Sequence, residues 1–169
     1  MYSGKIINNA HRGDIVEMIV LSALGNDWDL VGLGWHPWDL QRGGGHERVR
    51  IQVRQVAALQ LWGETKRPLL KFGWKKNAPG YFDRDNPGEE IETEGWFCDV
   101  FVFGLHLETS RKIVDQVDPT QWEFLVIPTI DLKQGQDSMV LTKALQRWQP
   151  VKWSQLSESV ELAIGRIFR

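Results

Sequence analysis

Over residues 48–56, "RVRIQVRQV", apolar and polar positions alternate: Val49, Ile51 and Val53 against Arg50, Gln52 and Arg54. That period of two predicts a strand with one buried face, running on through residues 47–62. Ahead of it, "DIVEMIVLSAL" (14–24) is apolar around most of a helix, as in a helix packed on a sheet, and Gly25-Asn26 is a helix stop. "WDLVGLGW" (28–35) predicts a first strand. "HPWDLQ" (36–41) leads into a second, with Pro37 confined to its start or edge, and "RGGGH" (42–46) is a flexible turn. Further on, "WFCDVFVFGLHL" (96–107) is almost continuously apolar, the mark of a central strand covered on both faces. "WEFLVIPT" (122–129) predicts another strand, and "SMVLTKALQRW" (138–148) suits helix or strand equally. In "SQLSESVELAIGRIF" (154–168), Leu156, Val160, Ala163, Ile164 and Ile167 recur at helical spacing. The order predicts an α/β (α+β) fold, a central mixed β-sheet flanked by helices 14–24 and 154–168.

Length and composition narrow this picture. The 169 residues, without an internal repeat, predict one domain over 1–169 with a loop-rich insertion around 63–95. With 42% hydrophobic and 25% charged residues the chain has the composition of a globular protein, which argues against disorder. A net charge of −2 gives no global attraction to nucleic acid, so such binding requires a local basic patch. The single Cys98 excludes an intramolecular disulfide and a cysteine metal cluster; set in an apolar run, it reads as a buried thiol. No apolar stretch is long enough to span a membrane, and the start has no signal-peptide core, so the expected location is cytoplasmic. The nine Trp are an unusual number, and Trp often ends at grooves and interfaces.

Candidate chemistry comes from three places. Glu17 interrupts an otherwise apolar helix, Asp39 lies between Trp38 and Leu40 where the second strand starts, and Gln52 and Arg54 share one face of the third strand. Carboxylates and an amide oxygen are the ligands a hard divalent cation takes. Each position also has a plain explanation. Asp14-x-x-Glu17 is close to a capping box, Asp39 could be a turn residue after Pro37, and Gln52 and Arg54 could be a solvated sheet face. In a hairpin of 36–41 with 47–54, Asp39 shares the Gln52/Arg54 face only if it opposes an even-numbered residue, unless a bulge re-aims it.

In this order (helix with Glu17, "PWDL" with Asp39, "RIQVR" with Gln52 and Arg54, then "CDVFVF" and "WEFLVIP") the chain resembles the PD-(D/E)XK nuclease superfamily over residues 10–130. The closest pattern is the branch with a Q-x-K active site. The resemblance implies a restriction-endonuclease-like fold and a Mg²⁺- or Mn²⁺-dependent endonuclease hydrolysing phosphodiester bonds in DNA. It implies metal ligation by Glu17, Asp39 and Gln52. A homodimer would suit cleavage of two strands. The family lysine is Arg54 here, which keeps a positive charge but is effectively always protonated. This leaves two outcomes: a working or weakened nuclease, or a non-catalytic nucleic-acid-binding or protein-interaction module on the same fold.

The stretch 64–76 offers Lys66, Arg67, Lys71, Lys75 and Lys76 for phosphates, with Phe72 and Trp74 for base stacking, or else is a solvated loop. The four His have no zinc-ligand spacing, "RGGGH" lacks the Lys-Ser/Thr of a phosphate loop, and no Gly-x-Ser-x-Gly elbow occurs.

Overall fold

The computed structural model describes residues 6–31, 36–66, 69–83 and 86–169, with the side chains of 82–89 left aside. Arg67 and residues 32–35 of the expected first strand lie outside the described residues. The first helix, α1 (Asn9–Leu24), starts five residues earlier than its apolar pattern, because the Asn8 side chain caps it by accepting from the His11 amide. It stops at Gly25, whose φ of +92° favours glycine and whose N–H closes on the Leu21 carbonyl.

Three antiparallel strands follow: β1 (Asp29–Leu30), β2 (Leu40–Arg42) and the long β3 (Val49–Ala57). The turn between β2 and β3 uses Gly43 and Gly45 at φ +70° and +57°, where a side chain would be strained. Next, β4 (Leu59–Gln60) and β5 (Gly63–Glu64) form a small hairpin, so the strand expected through residue 62 breaks after Ala57. The loop-rich region holds β6 (Lys71–Gly73), β7 (Tyr81–Asp83) and β8 (Asn86–Ile91). The apolar runs form β9 (Val100–His106) and β10 (Trp122–Pro128). The ambiguous 138–148 is both strand and helix: β11 (Ser138–Val140), paired with β6, runs straight into α2 (Leu141–Ala144). A short β12 (Val151–Lys152) precedes the last helix, α3 (Leu156–Ile167).

The central sheet has the order β1-β2-β3-β9-β10-β12. It is mixed: β3 and β9 run parallel, Ile51 beside Val100 through Ala57 beside His106, and every other neighbour is antiparallel. This is the α/β sheet the pattern predicted. Both long helices cover the same face of it. Val16, Ile19 and Val20 of α1, with Leu156, Val160 and Ala163 of α3, pack on Ile51, Val53, Val100, Val102, Trp122 and Phe124. The opposite face is closed by loop, β6 and α2 residues rather than a long helix: Leu70, Phe72, Trp74 and Leu141 pack on Phe101, Phe103, Leu105, Leu125 and Ile127. Burial on both faces explains why β9 reads as a continuous apolar run. Among the described residues, no helix is long and apolar enough to cross a membrane.

Candidate active site

The site builds from a fork in the sheet. β2 pairs with β3 only as far as Ile51, while β3 continues to Ala57. Regular pairing would set Asp39 across from Gln52, one step beyond Leu40 and Ile51. Instead the Asp39 amide donates to the Ile51 carbonyl at 2.9 Å, so two residues stand against one, as in a β-bulge. The bulge changes which way the chain faces. Leu40 packs on the α1 side, whereas Trp38 packs in the core on the other face. Asp39 sits at the crossing. Its Oδ2 accepts the Val53 amide at 2.7 Å, replacing the next rung of the ladder with a side chain.

Glu17 approaches from α1. It lies well inside the helix, capped at Asn8, so it does not close a capping box. Its carboxyl pKa is raised to about 7, first by burial, then by the negative charges of Asp39 and Asp14, with the Arg54 guanidinium opposing. Asp39 is also raised, by burial, against the Val53 hydrogen bond and the charge of Arg54. Three of the four expected site residues are therefore brought near one another: the charges of Asp39, from the bulge, and of Arg54, exposed on β3, act on Glu17 from the helix, and Arg54 acts on Asp39. The fourth, Gln52, is 7% exposed, and its side chain makes no hydrogen bond among the described residues. By strand alternation it shares a face with Arg50, whose guanidinium is paired with Asp99 at 3.1 Å and lies over the Trp38 ring.

Two carboxyls, with the charge of Asp39 acting on Glu17, could hold a hard divalent cation, while Gln52 lies on the strand face away from α1. The donors are oxygens, and a cation would relieve the repulsion that raises Glu17. Among the described residues no group of three or more His, Cys, Asp or Glu gathers as a metal site, so the set rests on two carboxylates.

The basic stretch is arranged differently from a stacking platform. Phe72 and Trp74 are 4% and 1% exposed and pack on Phe103, so neither ring is open to a base. Lys66, Lys71 and Lys75 are exposed, and the Lys76 ammonium lies 5.4 Å from the centre of the Trp96 ring. Cys98 is buried, and burial raises its thiol pKa, as expected of an unreactive cysteine. His11, in the first turn of α1, is exposed and 3.8 Å from Asp14.

Sequence reasoning missed a second polar centre at the start of α1. Arg12 is 1% exposed and donates to Gln55 Oε1 at 2.7 Å. The signal was present: Gln55 follows Val49, Ile51 and Val53 in the odd, buried register of β3 and breaks its apolar pattern. No protein-family model, curated protein or solved structure matches the chain.

Proposed function

We propose that the protein is a divalent-metal-dependent, nuclease-like phosphodiester hydrolase acting on DNA, of restriction-endonuclease-like fold, with weakened catalysis. What supports this reading is that three separate segments bring Asp39 and Arg54 near enough for their charges to act on Glu17, and Arg54 near enough to act on Asp39, whose Oδ2 holds the Val53 amide. Glu17 and Asp39 would hold Mg²⁺ or Mn²⁺. When bound, the ion supplies Lewis-acid stabilisation of the phosphoryl oxygens and a lowered pKa for water. Arg54, exposed at the rim, would donate to a non-bridging phosphate oxygen and steady the charge that develops there. Its guanidinium cannot take a proton from water, as a lysine amine with a lowered pKa can. That difference is the reason to expect slow turnover.

The test is Mg²⁺-dependent cleavage of plasmid and branched DNA. Wild type is expected to nick, Asp39→Ala to lose activity by at least about a hundredfold, and Arg54→Lys to exceed wild type. Equal rates for wild type and Asp39→Ala, or cleavage by neither, would sink the hydrolase reading. Arg54 in the lysine position favours one second reading, a non-catalytic nucleic-acid-binding domain on the same fold. Its signature is binding that survives Asp39→Ala with no cleavage by wild type.

A further inference from the structure

Among the described residues Arg12 donates only to neutral oxygens. Nε reaches Gln55 Oε1 at 2.7 Å, Nη1 the Ile7 carbonyl at 3.1 Å, and Nη2 both Asn9 Oδ1 at 2.7 Å and Gln60 Oε1 at 2.9 Å. No carboxylate is among these partners, and burial lowers its pKa to about 10. A buried charge held this way is a poor choice for stability, because an apolar side chain of similar volume would avoid the desolvation. What it offers is direction. Its acceptors come from the segment before α1, from α1 itself, from β3 and from β4. Two of them are fixed in turn: Gln55 donates to Asn9 Oδ1 at 2.9 Å, and Gln60 donates to the Ala57 carbonyl at 2.8 Å.

The placement bears on the site. Gln55 is the neighbour of Arg54 on β3, and Arg12 precedes Glu17 by five residues, roughly 7.5 Å along one rigid helix. The apolar contact of Val16 over Gly104 sets how close α1 lies to the sheet. Apolar contact tolerates sliding and rotation, whereas the directed hydrogen bonds from Arg12 to Gln55 and Gln60, the two of the four that cross from α1 to the strands, do not. We infer that Arg12 is a positioning residue, fixing the slide and rotation of α1 on β3 so that Glu17 meets Asp39 and Arg54. This inference rests on the metal-site reading above.

The experiment is Mg²⁺ titration calorimetry on the full chain, with thermal unfolding in chelator as the parallel measurement. Asp39→Asn is expected to abolish binding. Arg12→Met and Gln55→Leu are expected to unfold cooperatively yet bind Mg²⁺ roughly ten- to a hundredfold more weakly, the usual effect of disturbing groups that orient a metal site. Arg12→Lys keeps the charge without the planar fork and should resemble Arg12→Met. A merely structural Arg12 would lower the unfolding temperature and leave the Mg²⁺ affinity of the folded protein unchanged, which overturns the inference. Wild-type affinity in Arg12→Lys would overturn it too, by assigning the effect to charge. Should Arg12→Met fail to fold, Gln55→Leu, which deletes a single acceptor of Arg12, decides. Wild type that binds no Mg²⁺, or Asp39→Asn that binds as tightly, takes down the hydrolase reading together with this one. Binding that needs Asp39 but neither Arg12 nor Gln55 overturns the positioning role alone.

Discussion

Glu17 and His106 give the folded state opposite responses to pH. Unfolded, Glu17 ionises near 4.5; folded, it holds its proton to about 7. As pH rises between those values the unfolded chain loses this proton first, so stability falls, by about 1–3 kcal/mol after allowance for solvent screening. His106 is fully buried, its Nδ1 has no partner among the described residues, and burial lowers its pKa from 6.5. The unfolded chain therefore takes up that proton first as pH drops below 6.5, and stability falls in that direction. Glu17→Gln separates the two. In metal-free buffer it should raise the unfolding temperature over wild type at pH 8 and leave it nearly unchanged at pH 4.5. An equal difference at both pH values would show that Glu17 is not the group that titrates. Glu17 was legible because a carboxylate interrupting an apolar helix is conspicuous. Arg12 was not, since a charged residue ahead of an apolar run reads as a solvated helix start, and only the fold reveals its burial.

At the scale of elements, α1 can approach the sheet because β9 has no side chain at Gly104. A Cβ there would stand 2.9 Å from Val16 Cγ1 and 3.1 Å from the Trp122 ring. Both neighbours are stiff, one β-branched and one a fully buried indole, so neither can swing clear. Gly104→Ala should destabilise by about 1–3 kcal/mol in urea unfolding, despite the lower chain entropy of alanine, and Val16→Ala should recover part of the loss. A neutral or stabilising Gly104→Ala would mean that α1 rides higher over β9 than this geometry requires. The strongly periodic elements were readable beforehand: β3, β9, β10 and α3 each bury a face or two, and burial writes itself into composition. The short strands between residues 63 and 95 were not. β6 pairs with β11, some sixty residues later, and three-residue strands carry too few positions to show a period. The bulge at Asp39 could be raised only as an alternative, for a related reason. It depends on how β2 meets β3, and nothing local in "PWDL" encodes where that pairing ends.

Over the whole molecule, the net charge of −2 means that a nucleic acid would be held by local cations or not at all. The segment with β6 sorts its side chains by alternation. Phe72 and Trp74 anchor it in the core, and Lys71 and Lys75 are left on its solvent side. β6 packs near β3, over the face that carries Arg50 and Gln52. With both rings consumed by the core, the segment can contribute phosphate contacts but not base stacking. Binding through it should therefore be insensitive to base sequence and steep in salt, each phosphate contact adding about 0.9 to the slope of log affinity against log salt. Replacing Lys71 and Lys75 by Gln should flatten that slope by about 2 units for duplex DNA in fluorescence anisotropy, equally for unrelated sequences, and leave Mg²⁺ binding intact. An unchanged slope would place the nucleic-acid surface elsewhere. A loss confined to one sequence would mean that these lysines read base edges rather than phosphates.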